Sequence, residues 1–178
     1  MEYKITLHNF MGHLHTINHH RRLVRKLCFK IGLYKQGLTH DLSKYSPTEF
    51  WPGVKYFQGD KSPIVAEIKE KGYSEAWLHH KGRNKHHWQY WVGVKKGVIT
   101  PYEMPVRYVK EMACDRIAAC MTYEKEKYHK SSALEFLLTS SERKLIPPKT
   151  VQLLEKYLTI VSENELDKAL AIIKDMDN

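Results

Sequence analysis

The fold of this chain is decided by residues 13–31, which read HLHTINHHRRLVRKLCFKI. Within this stretch, apolar residues and histidines recur at spacings of three and four, the period of one face of an α-helix. The stripe consists of His13, Ile17, His20, Val24, Leu27, Cys28 and Ile31. We therefore predict a helix from Thr6 to Gly32, with the glycine as its end.

The chain on either side of this stretch shows the same kind of pattern. We predict a helix start at Ser46-Pro47 and further helices over 33–45, 64–71, 74–80, 86–96, 104–127, 131–141, 149–161 and 163–176. No stretch alternates with the period of two that marks a half-buried strand, and no linker divides the chain. The sequence therefore predicts an all-α, single-domain helical bundle over residues 1–178.

Composition narrows the classes of partner. The chain has 178 residues, a net charge of +9 and a pI near 9.3, which favours anionic partners such as nucleotides or phosphorylated metabolites. No apolar run reaches the length of a membrane span. The three cysteines form no CxxC pair and favour a reducing compartment. We expect a cytoplasmic protein with no membrane partner.

Histidine is unusually frequent, and ten of the eleven histidines lie between His8 and His87. Histidine is the commonest metal ligand, whereas we expect structural or surface roles for His8, His15 and His129. Asp115 falls on an inward helical face, where a carboxylate needs a partner such as a metal ion. The candidate ligands, spread over several predicted helices, are His13, His40, Asp41, His79, His80, His86, His87 and Asp115.

The order His … His-Asp … His … His … Asp resembles the HD-domain superfamily of metal-dependent phosphohydrolases. LTHDLSK (38–44) resembles the central motif of that superfamily, HLHTI (13–17) its first helix, and EMACD (111–115) the helix with the last aspartate. This resemblance covers about residues 13–120 and leaves the helices of 131–178 outside. The strings HDLSKYSPTEFW (40–51) and HHKGRNKHHWQYW (79–91) also look like a family of small bacterial and phage proteins whose activity is not established.

The resemblance to the superfamily implies an HD-like bundle that holds one or two divalent transition metals, with Fe, Mn, Co, Ni and Zn as candidates. It implies a first ion bound by His13, His40, Asp41 and Asp115. It implies a second ion bound by Asp41, His80 and His87. Either histidine of each tandem pair is a candidate, and His86 is an extra one. Where the branch that cleaves cyclic dinucleotides has a glycine-rich signature, this chain has Trp88 and Gln89.

The resemblance implies a metal-dependent phosphohydrolase, and we expect it to act on a nucleotide or another phosphate ester. Asp41 and Lys44 are the catalytic candidates, since Lys44 follows Asp41 by about one helical turn and could bind a substrate phosphate. Further candidates for substrate binding are Arg83, Asn84 and Arg116. Two alternatives stay open: a di-iron oxygenase of the HD type, and a non-enzymatic basic protein that binds nucleic acid or a partner through pairs such as Arg21-Arg22.

Overall fold

The structure is a computed structural model that describes residues 3–176. Residues 3–176 contain nine α-helices and one two-stranded sheet, which confirms the all-α prediction. The helices are α1 (Leu7–Lys30), α2 (Tyr34–Thr39), α3 (Pro47–Lys55), α4 (Pro63–Lys71), α5 (Glu75–Arg83), α6 (Val106–Glu124), α7 (Ser132–Thr139), α8 (Pro148–Glu163) and α9 (Leu166–Asp175). Short 3₁₀ segments cover Leu42–Tyr45, Trp88–Trp91, Lys125–Lys127 and Ser141–Leu145. The strands are β1 (Val92–Lys95) and β2 (Val98–Pro101).

Helix α1 forms where the stripe of residues 13–31 predicts it. At its start, the Thr6 side chain accepts a hydrogen bond from the backbone N–H of Asn9 at 3.1 Å, as an N-cap does. At its end, Gly32 has a φ of 80°, which glycine adopts without a steric penalty. The buried residues of the helix are His13, Ile17, His20, Val24, Leu27 and Cys28, so the predicted face is the face that enters the core.

The prediction of a helix over 86–96 is wrong. Residues 88–91 form a single 3₁₀ segment, and β1 and β2 then pair antiparallel, with Val92 opposite Pro101 and Lys95 opposite Val98. Lys96 and Gly97 join the strands, and both have positive φ angles, 51° and 78°. This is the geometry of the two-residue hairpin turns that match the twist of paired strands. The following helix, predicted from Met104, therefore begins at Val106.

The predicted helix over 33–45 is divided at the His40-Asp41 pair. Helix α2 ends at Thr39, and Asp41 adopts a left-handed conformation with φ 54° and ψ 26°. Aspartate tolerates this conformation better than most residues because its short polar side chain can bond locally. The chain then continues as the 3₁₀ segment Leu42–Tyr45. The reversal places two adjacent side chains in the interior instead of on successive faces of one helix.

The hydrophobic core lies among α1, α6, α8 and α9. Helix α6 crosses the centre of the molecule, and most of its residues from Val109 to Ala118 are buried. The largest fully buried side chains of α8 and α9 are Leu154, Tyr157, Leu158, Leu170 and Ile173. The C-terminal helices predicted over 131–178 are thus an integral part of this core. The cysteines Cys28, Cys114 and Cys120 are also buried, and none forms a disulfide.

Two further expectations concern the whole chain. The predicted domain of residues 1–178 includes residues 1, 2, 177 and 178, which lie outside the described part. Among the described helices, none combines the length and the apolar character needed to cross a bilayer.

Candidate metal centre

The His40-Asp41 turn places a carboxylate at the junction of four structural elements. Asp41 is 1% exposed, and its carboxylate faces histidines from α1, from α5 and from the segment before β1. Arg21 fixes the turn from outside, because its Nε donates a hydrogen bond to the backbone oxygen of His40 at 2.8 Å. Its Nη2 also donates to the backbone oxygen of Leu38 at 3.2 Å. This arginine therefore acts as a backbone clamp.

A first group of candidate ligands lies on one side of Asp41. It consists of His20, His40, Asp41 and Asp115, each offering one atom within 4.8 Å of the others. His20 Nε2 lies 3.0 Å from Asp115 Oδ1 and 3.7 Å from Asp41 Oδ2. His40 Nε2 lies 3.3 Å from Asp115 Oδ1. Helix α1 thus supplies the His20 imidazole and α6 supplies the Asp115 carboxylate, and both lie beside the His40-Asp41 turn.

A second group lies on the other side and shares Asp41. It consists of Asp41, His80, His86 and His87. The Nε2 atoms of His80 and His86 lie 3.3 Å and 3.4 Å from Asp41 Oδ1. Asp41 thus presents Oδ2 to the first group and Oδ1 to the second, so one carboxylate could serve both groups.

Carboxylates outside the two groups orient the imidazoles. His40 Nδ1 hydrogen-bonds Glu111 Oε1 at 2.9 Å, and His86 Nδ1 lies 3.2 Å from the same oxygen. His80 Nδ1 hydrogen-bonds Glu49 Oε2 at 2.7 Å. A ring that donates its Nδ1–H to a carboxylate keeps its Nε2 lone pair for a metal ion, which is a common arrangement around histidine ligands. Glu111 serves one histidine from each group.

Several of the candidate ligand atoms are buried without a hydrogen bond. Within residues 3–176 this holds for Nε2 of His40, His86 and His87. The two Asp41 oxygens also make no hydrogen bond of good geometry, although Lys44 Nζ lies 2.7 Å from Oδ2. Buried polar atoms without partners are rare in folded proteins and call for an explanation. These atoms converge on Asp41, and together they could hold a cation.

The ionisation states of Asp41 and its neighbouring histidines are compatible with the binding of a cation. Burial opposes ionisation of Asp41, but the positive charges of His40 and Lys44 outweigh burial and hold the pKa of Asp41 well below its usual range. Burial also disfavours the charged form of His40, yet the charge of Asp41, the nearby Asp115 carboxylate and the hydrogen bond to Glu111 raise the pKa of His40 well above its ordinary value. For His87, burial and the charges of His86 and His80 lower the pKa strongly. A proton on His40 thus occupies the place that a metal ion would take.

A cavity of about 650 Å³ opens onto both groups. Its wall includes His20, His80, His87 and Asp115, followed by mainly apolar side chains from α3, α4, α6 and α7. Lys44 lines this cavity and is 30% exposed. Arg116 also lines it, with its guanidinium carbon 5.9 Å from the centre of the Phe136 ring. The volume is typical of sites for small organic ligands.

Comparison with protein families adds one finding to this geometry. A family model, DUF5662, described as a family of unknown function, matches residues 9–160, which is most of the chain. The chain belongs to this family. The matched range includes every residue of the two groups, from His20 to Asp115, and ends before α9. No curated protein and no solved structure matches the chain.

In this DUF5662 protein, the structure brings together most of the predicted ligands. His40, Asp41, His80, His86, His87 and Asp115 fall in the two groups. His13 falls in neither group, and His20 takes the place predicted for it. His79 is also outside both groups, and its Nδ1 hydrogen-bonds Glu49 Oε1 at 2.6 Å.

Two of the predicted substrate-binding residues do not line the cavity. Arg83 is exposed at the end of α5. Asn84 is buried, and its side-chain nitrogen donates hydrogen bonds to Ser43 Oγ at 2.8 Å and to the His80 backbone oxygen at 2.9 Å. Asn84 therefore joins α5 to the turn after Asp41, and Lys44 and Arg116 remain as the cationic candidates.

Sequence reasoning missed three residues of the site, His20, Glu49 and Glu111. His20 lies seven residues after His13 on the same stripe, so the pattern was compatible with either histidine. Glu111 precedes Asp115 by four residues, which places both on one helical face. Glu49 carries no comparable signal, because a glutamate in the first turn of a helix is ordinary at a helix start.

Proposed function

We propose that this protein binds two divalent transition-metal ions through the groups that share Asp41 and hydrolyses a phosphate ester, such as a nucleotide. The observation that carries the proposal is the shared, buried carboxylate with unpartnered histidine nitrogens on both sides. Ligand sets of imidazoles and carboxylates suit Fe, Mn, Co, Ni or Zn, and the sets contain no thiolate, which a structural zinc site usually has. The resemblance to HD-domain phosphohydrolases supports the same assignment.

In this proposal, the side chains around Asp41 have separate roles in binding the phosphate and in positioning the histidines. Two such ions, held by the groups that share Asp41, would supply the acidification of a bound water molecule and the neutralisation of charge on a phosphate group. Lys44 lies 2.7 Å from Asp41 and borders the cavity, so it can bind a phosphate oxygen beside the bridging carboxylate. Glu111 and Glu49 hold the imidazoles in position. The oxygen of a water molecule bonds to phosphorus and gives up a proton, the P–O ester bond breaks, and the leaving oxygen takes up a proton, so one water is consumed for each ester cleaved.

The cavity supports a small organic substrate over a macromolecule. Arg116 supplies a second cation on the wall beyond Asp115, where Phe136 of α7 packs against it. Among the basic pairs suggested for nucleic-acid binding, Arg21 is engaged with the backbone at His40 and Leu38. The three unpaired buried cysteines support a reducing compartment such as the cytoplasm.

The test of this proposal begins with metal content. Tag-free protein, purified without chelator, should contain close to two equivalents of transition metal by mass spectrometry, and Asp41→Asn should contain far less. The metal-loaded protein should then release phosphate from at least one member of a panel of phosphate monoesters and diesters. Absence of metal after reconstitution with each of the five candidate ions would refute the proposal. Bound iron with oxygen consumption and no phosphate release would favour an oxygenase instead.

A further inference from the structure

His13 is a buried histidine that the metal groups do not use. It is 8% exposed and lines the same cavity as the candidate ligands. Within residues 3–176, neither of its ring nitrogens has a hydrogen bond or an ion pair. A ring nitrogen that no protein atom bonds and that lies on a cavity wall is available to a group bound in the cavity.

The position of the His13 ring is fixed by close packing against its neighbours. Its centroid lies 5.5 Å from that of Phe50 and 6.4 Å from that of Phe57. A Cβ atom at Gly53 would overlap the His13 ring, and a Cβ atom at Gly12 would overlap the ring of Phe57. Two glycines therefore leave the space that the imidazole and its aromatic neighbour occupy. This cradle holds a polar ring in place at the cavity wall without satisfying its hydrogen bonds.

The protonation state of His13 suits contact with a neutral group. Burial, with a smaller contribution from the charge of Lys44, lowers the pKa of His13 to about 4. Near neutral pH the ring is therefore uncharged and offers one N–H donor and one lone pair. Such a ring discriminates by hydrogen bonding rather than by charge.

The distance along α1 indicates which part of a ligand His13 would meet. His13 and His20 are seven residues apart, so they lie on nearly the same face and about 10 Å apart along the helix axis. A phosphate bound at Asp41 and His20 would not extend that far. A group attached to the phosphate would, because the cavity of about 650 Å³ continues along this wall.

We propose that His13 is a specificity-determining residue that hydrogen-bonds a hydroxyl, carbonyl or ring nitrogen of the substrate's organic group, away from the phosphate. The inference rests on the proposed function, since it takes the phosphate to lie at the metal groups. The substrate class is then a phosphate ester with a largely apolar organic group that carries a polar atom at its far end. Phosphate esters without such an atom gain nothing from His13.

The experiment compares long and short phosphate compounds by calorimetric titration of the Mn²⁺-loaded protein. Nucleoside 5′-monophosphates are the long probes, and phenyl phosphate is the short one. We expect His13→Leu to weaken binding of the best nucleoside monophosphate by at least tenfold and to leave phenyl phosphate within twofold. His13→Gln should restore part of the loss because its amide keeps a donor and an acceptor. His15→Leu, an exposed histidine of the same helix, is the matched control.

Metal content separates the failure of this inference from that of the proposed function. His13→Leu should retain the metal of the wild-type protein, whereas His20→Leu should lose it. Loss of metal in His13→Leu would make His13 a ligand and overturn the inference. So would equal weakening of both probes, or wild-type affinity for phenyl phosphate equal to that for every nucleoside monophosphate. If the metal-loaded wild-type protein binds none of the probes, the inference is refuted, whereas the proposed function is judged by metal content and phosphate release.

Discussion

At the scale of the residue, Asp41 has two properties that are difficult to combine in one side chain. Its backbone is left-handed, which favours Gly, Asn and Asp, and its carboxylate faces both candidate metal groups. Glycine would keep the turn and lose the ligand, whereas glutamate would keep a carboxylate and strain the backbone. These two demands together explain why an aspartate follows His40.

The substitution Asp41→Asn isolates the carboxylate, because asparagine tolerates the same backbone conformation. We expect the variant to fold and to lose most of its metal, since the charge that serves both groups is gone. Mass spectrometry of the purified variant measures the loss. Asp60→Asn, at an exposed loop position, is the control and should retain the wild-type content. Full metal content in Asp41→Asn would show that Asp41 is not a ligand.

Glu111 and Glu49, the carboxylates that hydrogen-bond the candidate histidine ligands, should affect the two groups differently. Glu111 contacts His40 and His86, whereas Glu49 contacts His80 and His79. Glu111→Gln should therefore weaken both metal sites, by about tenfold or more, as loss of such outer partners usually does. Glu49→Gln should weaken only the group that contains His80. Titration of the metal-free variants with Mn²⁺ distinguishes one affected site from two, and identical curves for the two variants would contradict this assignment.

At the scale of the element, the helices could be predicted and the hairpin could not. Helix α1 has a continuous buried stripe, which a 3.6-residue period makes visible. Strands β1 and β2 have four residues each, and most of these residues are exposed, so there is no buried face to produce an alternating pattern. The same limit applies to the candidate metal ligands. The helical period predicts which face of α1 is buried, but it does not distinguish His13 from His20 on that face.

The start of α8 provides a prediction about pH. Glu103, in the segment before α6, accepts hydrogen bonds from the backbone N–H groups of Lys149 at 3.1 Å and Thr150 at 2.7 Å. Partial burial opposes its ionisation, but the bonds from the Thr150 hydroxyl and these N–H groups outweigh burial and lower the pKa of Glu103 below 4.5. The stabilisation is therefore complete above pH 4.5 and is lost as the pH falls through the lowered value.

Glu103→Gln should consequently reduce the free energy of unfolding at pH 7 by about 1 kcal/mol or less, since Glu103 is exposed to solvent. The difference from wild type should shrink as the pH is lowered below 4.5. Urea denaturation of both proteins at pH 7 and at about pH 3.5 checks both statements, with Glu126→Gln as the control for an exposed carboxylate. A difference that grows on acidification would contradict the sign.

At the scale of the whole molecule, the candidate metal centre connects segments that are far apart in the chain. Its ligands come from α1, the turn after α2, α5, the segment before β1, and α6. Because the ions would bind the folded chain and not the unfolded one, their free energy of binding adds to stability. At a free ion concentration 100 times the Kd, the gain is about 2.7 kcal/mol for each of the two sites.

Removal of both ions should therefore lower the Tm of this protein by about 10–20 °C, since 1 kcal/mol shifts the Tm of a domain of this size by about 2–4 °C. Scanning calorimetry with and without a chelator measures the shift. The Tm of Asp41→Asn should not respond to the chelator. A wild-type Tm that also does not respond would mean that the histidine cluster holds no ion of consequence.

The reactivity of the buried cysteines gives a measure of how often the core of the molecule opens. Cys28 belongs to α1 and Cys114 to α6, the helices that carry His20 and Asp115, and a hydrogen bond between the two thiols, together with burial, raises the pKa of Cys28. Neither thiol can react with an alkylating reagent until these helices separate, because a thiol must be both accessible and ionised to react. The alkylation rate of Cys28 therefore reports how often α1 and α6 part, and an ion held between His20 and Asp115 would slow that rate.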